Sequence, residues 1–488
     1  MTGGERPAAK GDAPPAAPVL GPLLLVLMGC ELLSLFVPGS FAETASKILV
    51  LAMPLVGFAR LRLREAYLLG LSLLLLLLAW FRLPAPGETL LLGLERAAFL
   101  SSFILLMGLL REGGITSPAV RDCGAYITRQ PPQRRFLAVF LGSHFFSALI
   151  NLGALSLLAP IIQRGVRGER PTAVPLDEID LVRERRQLTA LLRGFAWFLI
   201  WAPTAVTQAV LPTLIPGIEA GRLIAIGLAV ALIMLLVSWV EDMAQWWPLR
   251  RRLRKAGRLP ERREAVLPRS AFGRLGWVSA LLCSLSLGFA AWGSVSLVSG
   301  VMLAAPLVLT VWVFAQQPQK PFQQRLDATF GRLGGVTSRG LPSFIREAVS
   351  LAAAGFIGTV AARLVPAEQL AVALSFAEMP AWLFLSGLSA FIWLGGQIAL
   401  SPITTAVFLG SLVAELDSLP ADPTLAALAI AAGTAICTTG APFASGTLML
   451  SRASGYSGIE LAWKWNLPYT LVTMAVLTLI YAALTGIA

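Results

Sequence analysis

Small and polar residues interrupt two long apolar stretches of the sequence, residues 136–162 and 381–413. In chain order the interrupting residues are Ser147, Asn151, Gly153, Gly396, Gln397, Ser401 and Thr404. Hydroxyl and amide oxygens can accept hydrogen bonds or coordinate a cation, and glycine lets a ligand approach the backbone closely. We therefore expect substrate contacts from Asn151, Gly153, Gln397, Ser401 and Thr404, and ion contacts from Ser147, Asn151, Gly396 and Ser401.

Two further apolar segments carry a proline close to hydroxyl side chains. Pro203 lies in a predicted helix over 190–216, and Pro442 lies in one over 424–450. Because proline removes a backbone hydrogen bond and clashes with the preceding turn, both helices should break near these positions. The hydroxyl residues at the breaks predict substrate contacts from Thr204, Thr438 and Thr439, and ion contacts from Thr207 and Ser445.

The composition excludes an ordinary soluble protein. The chain has 488 residues, of which 56% are hydrophobic and 14% charged, and its mean hydropathy is +0.74. The formal charge of +12 comes mostly from arginines in short loops between apolar runs, a distribution typical of cytoplasmic membrane loops. We therefore expect a lipid bilayer and no nucleic acid as the partner.

Catalytic and metal-binding constellations are missing from the sequence. His144 is the sole histidine, the four cysteines share no close spacing, and the apolar runs carry no paired carboxylates. An enzyme and a tightly bound cofactor are therefore not expected, and a sodium ion or a proton is the only expected coupling ion. His144 keeps a proton carrier open as an alternative, because an unperturbed imidazole titrates near neutral pH.

The charges flanking the two interrupted stretches predict re-entrant hairpins. The first stretch has arginines on both sides, and the second has weakly charged or acidic flanks on both sides. A segment that enters and leaves on one side of a bilayer must turn at its tip, and irregular backbone at that depth survives only against protein or water. Each tip is therefore expected to line a site.

These elements predict an all-α polytopic membrane protein with about eleven transmembrane helices and two re-entrant hairpins. The predicted units are a disordered segment 1–18, a first transmembrane helix in 19–43, one repeat over 44–245 (hairpin 136–162, broken helix 190–216), a basic cytoplasmic loop 246–272, and a second repeat over 273–488 (hairpin 381–413, broken helix 424–450). The loop charges place the N-terminus inside and the C-terminus outside. The preference for arginine over lysine suggests a bacterial cytoplasmic membrane.

The second repeat matches the first with every element reversed in direction. Inverted repeats with discontinuous helices are the architecture of secondary transporters, which bind their substrate near the membrane midplane. The sequence therefore predicts a secondary active transporter of a small, anionic solute that is coupled to a sodium or proton gradient. A cation/proton antiporter on the same scaffold remains the alternative.

The run FILLMGLLREGGITSPAVRDCGAYITRQPPQRRFLAVFLGSHFFSALINLGALSLLAPII resembles the ion transporter superfamily, which includes divalent anion:sodium symporters, citrate carriers and arsenite permeases. The likeness lies in an apolar span, an amphipathic arm, and a hairpin with Asn151 near its tip and Pro160 closing it. The resemblance implies a homodimer, in which hairpins and broken helices move as an elevator against a scaffold. Unlike the Ser-Asn-Thr tips of the anion symporters, the second tip has Leu400, Ser401 and Pro402.

Overall fold

A computed structural model of the chain describes residues 18–168, 176–256, 266–416 and 418–486, and these residues form helices and no strand. The helices of the first half are α1 (Leu20–Ser34), α2 (Phe41–Val56), α3 (Leu63–Arg82), α4 (Pro86–Ile115), α5 (Pro118–Thr128), α6 (Pro132–Ile150), α7 (Gly153–Arg167), α8 (Glu178–Phe198), α9 (Val206–Leu214) and α10 (Ala220–Lys255). Residues 1–17 of the predicted disordered segment and 257–265 of the predicted basic loop lie outside the described residues.

The second half of the described chain is likewise helical. Its helices are α11 (Arg269–Gly293), α12 (Leu297–Ala315), α13 (Phe322–Gly335), α14 (Leu341–Ser343), α15 (Ile345–Leu364), α16 (Ala367–Ala373), α17 (Ala381–Gln397), α18 (Pro402–Ala414), α19 (Pro423–Gly440), α20 (Ser445–Ser454) and α21 (Trp465–Leu484). Short π-helical turns precede α14 and α21, at Val336–Gly340 and Glu460–Lys464.

Eight segments of the described chain are long and apolar enough to cross a membrane. They are α3, α4, α10, α11, α12, α15, the α19–α20 pair and the segment Glu460–Leu484 that contains α21. The predicted eleven also counted α1, α2 and the α8–α9 pair, which are short or carry several charges. The predicted fold class, an all-α polytopic membrane protein, is confirmed.

Two helix–turn–helix units occupy the interrupted apolar stretches. In the first, α6 ends at Ile150 and α7 begins at Gly153, so that Asn151 and Leu152 form the first tip. In the second, α17 ends at Gln397 and α18 begins at Pro402, so that residues 398–401 form the second tip. Pro160 was expected to close the first hairpin, but it lies inside α7, which continues to Arg167.

Two helices are interrupted beside their prolines. The first interruption spans residues 199–205, between α8 and α9, and the second spans residues 441–444, between α19 and α20. Side chains from the following helix satisfy the freed carbonyls: the Thr207 hydroxyl donates to Leu199 O, the Gln208 amide to Ile200 O at 2.7 Å, and the Thr447 hydroxyl to Thr438 O at 2.6 Å. These bonds explain how a broken backbone persists inside a closely packed interior.

Helix α19 is the innermost element, since all of Thr424 to Gly440 is buried. Small residues bring the neighbouring helices close to one another: a Cβ atom on Gly355 of α15 would lie 2.9 Å from Arg96 O of α4, and one on Gly358 would lie 2.6 Å from Val407 Cβ of α18. Such close backbone approach is typical of helix packing in membranes, where lipid supplies no hydrophobic drive for helices to associate.

Candidate functional site

One cavity is lined by residues of both tips, by residues of the first helix interruption, and by Thr438 and Ser445 on either side of the second interruption. The volume of the cavity is about 140 Å³. The predicted site residues that line it are Asn151, Thr207, Ser401, Thr438 and Ser445. Four separate segments of the sequence, each with polar residues inside an apolar run, therefore meet at one cavity.

The first tip is held by the side chain of its asparagine. Asn151 has φ 50° and ψ −133°, a conformation that favours glycine, and it is 8% exposed. Its Nδ2 donates to Thr204 O at 3.0 Å, and its Oδ1 accepts from the Leu152 N–H at 2.8 Å. The Thr204 hydroxyl in turn donates to Ala148 O at 2.7 Å. The first tip and the first helix interruption are thus joined by two hydrogen bonds.

The second tip is cross-linked to its broken helix by Gln397, the residue that precedes it, and not by a polar side chain of the tip itself. Ser401 is the N-cap of α18, where its hydroxyl accepts from the Thr404 N–H at a long 3.5 Å. Gln397 faces away from the cavity: its Nε2 donates to Trp393 O and Gly440 O, both at 3.1 Å, and its Oε1 accepts from Trp463 Nε1 at 2.8 Å. The Thr404 hydroxyl is buried without a partner and does not line the cavity.

The remaining predicted site residues lie outside the cavity lining, and each has a packing or hydrogen-bonding role. The Ser147 hydroxyl donates to Ser143 O at 2.6 Å, and that of Thr439 donates to Ile436 O at 3.0 Å. Gly153 makes room for Arg111, whose Cγ would lie 2.8 Å from an added Cβ, and Gly396 makes room for Cys437, whose Sγ would lie at 2.3 Å. Thr204 contributes through the first-tip bonds described above.

Four helix N-termini are directed at the cavity. Its lining includes Leu152 at the start of α7, Val206 at the start of α9, Ser401 at the start of α18 and Ser445 at the start of α20. The first N–H groups of a helix have no intrahelical partner and carry partial positive charge. Converging helix N-termini therefore create a polar, electropositive environment that suits an anion.

Four arginines at the cavity, which we call the arginine rim, were missed by sequence reasoning as site residues. They are Arg62, Arg64, Arg346 and Arg452. Arg62, Arg64 and Arg452 are exposed and mark the mouth, whereas Thr434 and Thr438 are 2% exposed and form the inner end. Charge in the linkers was used only as a marker of membrane side. The available signal was the recurrence of arginine at the start of α3, at the start of α15 and near the end of α20.

Two carboxylates accompany the rim. Glu65 is buried and accepts from the Arg62 N–H at 2.9 Å, which caps the start of α3. Glu347, beside Arg346 in the first turn of α15, has a buried Oε2 without a hydrogen-bond partner. The arginines nevertheless outnumber the acids at the mouth, so its net charge is positive.

His144 does not line the cavity. Trp201 Nε1 donates to its Nε2 at 2.7 Å, which leaves Nδ1 to donate to Gly194 O at 3.1 Å. Its ring also stacks between Phe140 and Trp201, with centroid distances of 6.2 and 5.6 Å. Both ring nitrogens of a neutral imidazole are therefore engaged in joining α6 to the first helix interruption.

Arg193 is fully buried outside the cavity, in a polar network between α8, α10 and α21. Its guanidinium donates to Glu241 Oε2 at 2.7 Å and to Asn466 Oδ1 at 2.8 Å, and it lies 3.7 Å from the Tyr469 ring centroid. Tyr469 in turn accepts from Trp197 Nε1 at 2.6 Å. This arginine stabilises the bundle and does not face the tips. Within the described part of the chain, no group of three or more His, Cys, Asp or Glu residues could hold a metal ion.

Comparison with known proteins finds likeness in structure alone. No protein-family model matches the chain, and no curated protein matches it in sequence. The transporter YdaH of Alcanivorax borkumensis, a crystal structure described as having an unusual topology, has a TM-score of 0.52 and 15% identity over 86% of this chain and 98% of its own. MtrF of Neisseria gonorrhoeae, described with a class of antimetabolite efflux pumps, has a TM-score of 0.48 and 14% identity over 86% of this chain and 94% of its own.

These neighbours correct the resemblance drawn from the sequence. YdaH is not described as a divalent anion:sodium symporter, a citrate carrier or an arsenite permease, so membership of that group is not supported. The more general prediction, a transporter fold, is supported because this chain is similar in fold to YdaH, a transporter of known structure. At 15% identity the likeness with YdaH concerns the fold and does not extend to substrate.

Proposed function

We propose that this protein is a secondary active transporter of a small anionic solute in a bacterial cytoplasmic membrane. One observation carries the proposal: a single cavity is lined by two hairpin tips, by residues in or beside two helix interruptions, by four helix N-termini and by four arginines. Helix N-termini supply hydrogen-bond donors at the inner end, and guanidinium groups supply charge at the mouth. Together they match an anion with a carboxylate or similar group.

The likeness in fold to YdaH supports a transport function, because that protein is a transporter. The meeting of two tips and two broken helices at one cavity supports alternating access, in which the hairpins and broken helices move relative to the remaining helices. Coupling to a sodium or proton gradient, and movement as an elevator within a homodimer, belong to the same proposal. No contact favours the antiporter alternative, since both nitrogens of His144 are hydrogen-bonded away from the cavity.

The test is thermal unfolding of the purified protein against a panel of small anions, including mono- and dicarboxylates. A ligand that binds only the folded state raises its stability by mass action, by about 2.7 kcal/mol at a hundredfold excess over Kd. We expect at least one anion to raise the unfolding temperature. Arg346→Gln and Arg452→Gln should reduce that response, whereas Arg121→Gln, at an exposed residue of α5 outside the cavity, should not.

Anions that shift the unfolding temperature then enter counterflow assays in proteoliposomes. Exchange of labelled anion that depends on Arg452 would support transport through the cavity. An anion response that survives both rim substitutions, or bound anion without exchange, would contradict the proposal.

A further inference from the structure

A buried carboxylate lies outside the cavity, where α7, α8 and α20 meet. Glu184 of α8 is 0% exposed. Its Oε1 accepts from Gln163 Nε2 of α7 at 2.7 Å, and the same Nε2 donates to Ser454 O at the end of α20 at 2.8 Å. One amide nitrogen therefore holds two oxygens from different segments next to each other.

The second oxygen of this carboxylate has no hydrogen-bond partner. Glu184 Oε2 is buried and unpartnered, and among the described residues no arginine, lysine or histidine nitrogen lies within 4.0 Å of the carboxylate. A buried charge without a partner is costly, and proteins compensate by pairing it or by binding a cation. The close partners of Glu184 are therefore neutral groups, and no cationic side chain pairs with its charge at this distance.

A second unpartnered oxygen lies on the same helix face. Gln187 is 2% exposed, and its Oε1 is also buried without a partner. Residues three apart on a helix are neighbours on its surface, so Gln187 Oε1 and Glu184 Oε2 belong to one local environment. The amide group of Gln187 could donate as well as accept, but its Nε2 already donates to Arg183 O at 3.3 Å.

The end of α20 adds to the preference for a cation. Ser454 is the last residue of that helix, and the carbonyl end of a helix carries partial negative charge. Tyr456, in the loop after α20, also faces this carboxylate: burial, the charge of Glu184 and a side-chain hydrogen bond to Glu184 raise the pKa of Tyr456 to about 12, and the charge of Arg167 acts in the opposite direction. The oxygens of Glu184, Gln187 and Ser454 are thus the polar atoms that the three segments bring together.

Charged side chains from the packed elements are engaged elsewhere or exposed. They are Arg164 on α7, Arg183 and Arg185 on α8, Arg452 on α20 and Glu460 beyond it. Arg167 on α7 is half-buried instead, and its charge acts on Tyr456, so it is the nearest cationic side chain to this environment. Arg183 pairs with Asp180 at 4.0 Å, and Arg185 lies 5.3 Å from the Trp246 ring.

We propose that Glu184, Gln187 and Ser454 O form a binding site for a small monovalent metal cation, separate from the tip-lined cavity. Carboxylate, amide and carbonyl oxygens are the ligands that hard cations take in proteins, and half-helix carbonyl ends coordinate sodium in transporters. The site joins the second arm of the first hairpin to parts of both broken helices. Its role as a coupling site rests on the proposed transport function, but cation binding itself does not.

The test measures cation binding directly on the full-length purified protein. Unfolding temperature is followed in sodium, potassium or choline chloride at constant ionic strength, together with binding of radioactive sodium. We expect a saturable rise with sodium or potassium relative to choline. Glu184→Gln and Gln187→Met should each weaken binding roughly tenfold or more, as expected when a ligand or its support is removed.

Glu31→Gln is the matched control, because it neutralises another buried glutamate, on α1, and should leave cation binding unchanged. Arg452→Gln should weaken the anion response and leave cation binding intact, so that a failed transport proposal remains distinguishable from a failed cation site. Gln187→Met keeps all charges, so it tests the site even if Glu184→Gln does not fold. No cation-specific rise in the native protein, or an undiminished rise in both site variants, would overturn the proposal.

Discussion

The two tips line the same cavity but are held in different ways. At the first tip, both polar atoms of the Asn151 side chain are hydrogen-bonded, one of them to the carbonyl of Thr204 in the first helix interruption. At the second tip, the Ser401 hydroxyl only accepts a long bond from its own helix. The comparison shows that a polar side chain at a tip can be hydrogen-bonded to the backbone, which leaves it unavailable to a ligand.

This difference predicts a division of roles within one cavity. The first tip is fixed to the first helix interruption and should behave as part of a rigid wall. Ser401 retains an available hydroxyl at the N-terminus of α18 and can contact a bound solute directly. Sequence reasoning had treated Asn151 as the leading ligand, and its direct contact with a solute remains a prediction.

The largest expected effect is that of Asn151→Ala. The substitution removes two hydrogen bonds and places alanine at φ 50°, so it should lower the free energy of unfolding by about 2–3 kcal/mol. Ser401→Ala should lower it by less than about 1 kcal/mol while reducing the anion-induced stabilisation. Chemical denaturation with and without anion measures both. Equal destabilisation by the two variants would contradict the comparison.

Asn151→Gly separates backbone strain from the lost side-chain bonds. Glycine accepts the φ and ψ of the first tip without a steric penalty but cannot bond to Thr204 O. We expect this variant to be about 1 kcal/mol more stable than Asn151→Ala and still less stable than the native protein. Identical stabilities for the glycine and alanine variants would show that the backbone at Asn151 is unstrained.

Trp463→Phe tests the support of the second tip. It keeps an aromatic ring and removes the indole bond to Gln397 Oε1, so we expect a loss of about 1 kcal/mol. Because this bond lies outside the cavity, the anion response should persist. Trp80→Phe, an exposed tryptophan on α3, is the control for ring substitution alone. A lost anion response in Trp463→Phe would instead link Gln397 to the ligand.

The smallest effect concerns the caps of the two broken helices. Asp177 caps α8 and Asp422 caps α19, where its carboxylate accepts from the N–H groups of Thr424 and Leu425. Burial opposes ionisation of Asp422, but those N–H groups and Arg222 lower its pKa overall. Its stabilisation is therefore present above the ordinary aspartate pKa and is lost as pH falls through the lowered value.

Asp422→Asn should cost only a few tenths of a kcal/mol near neutral pH, because the carboxylate is partly exposed and asparagine also caps helices. The difference between native and variant unfolding temperatures should shrink as the pH falls below about 4. A difference that grows with acidity would contradict the assigned direction of the pKa shift.

The sequence by itself determined the fold class and the places where the helices are interrupted. Apolar runs of spanning length leave a chain few options other than helices in a bilayer, and proline with small residues limits where those helices can continue. Polar residues at or beside the interruptions, namely Asn151, Ser401, Thr207 and Ser445, could therefore be predicted from residue type and spacing.

Only the tertiary structure decided which of these polar groups face open space. Hydrogen-bond partners such as Thr204 O for Asn151 or Gly440 O for Gln397 come from segments distant in sequence, so neither engagement could be inferred locally. The arginine rim likewise required the linker before α3, the start of α15 and the end of α20 to meet at one mouth. Residue type fixed what each side chain can do, and long-range packing fixed which atoms remain free to do it.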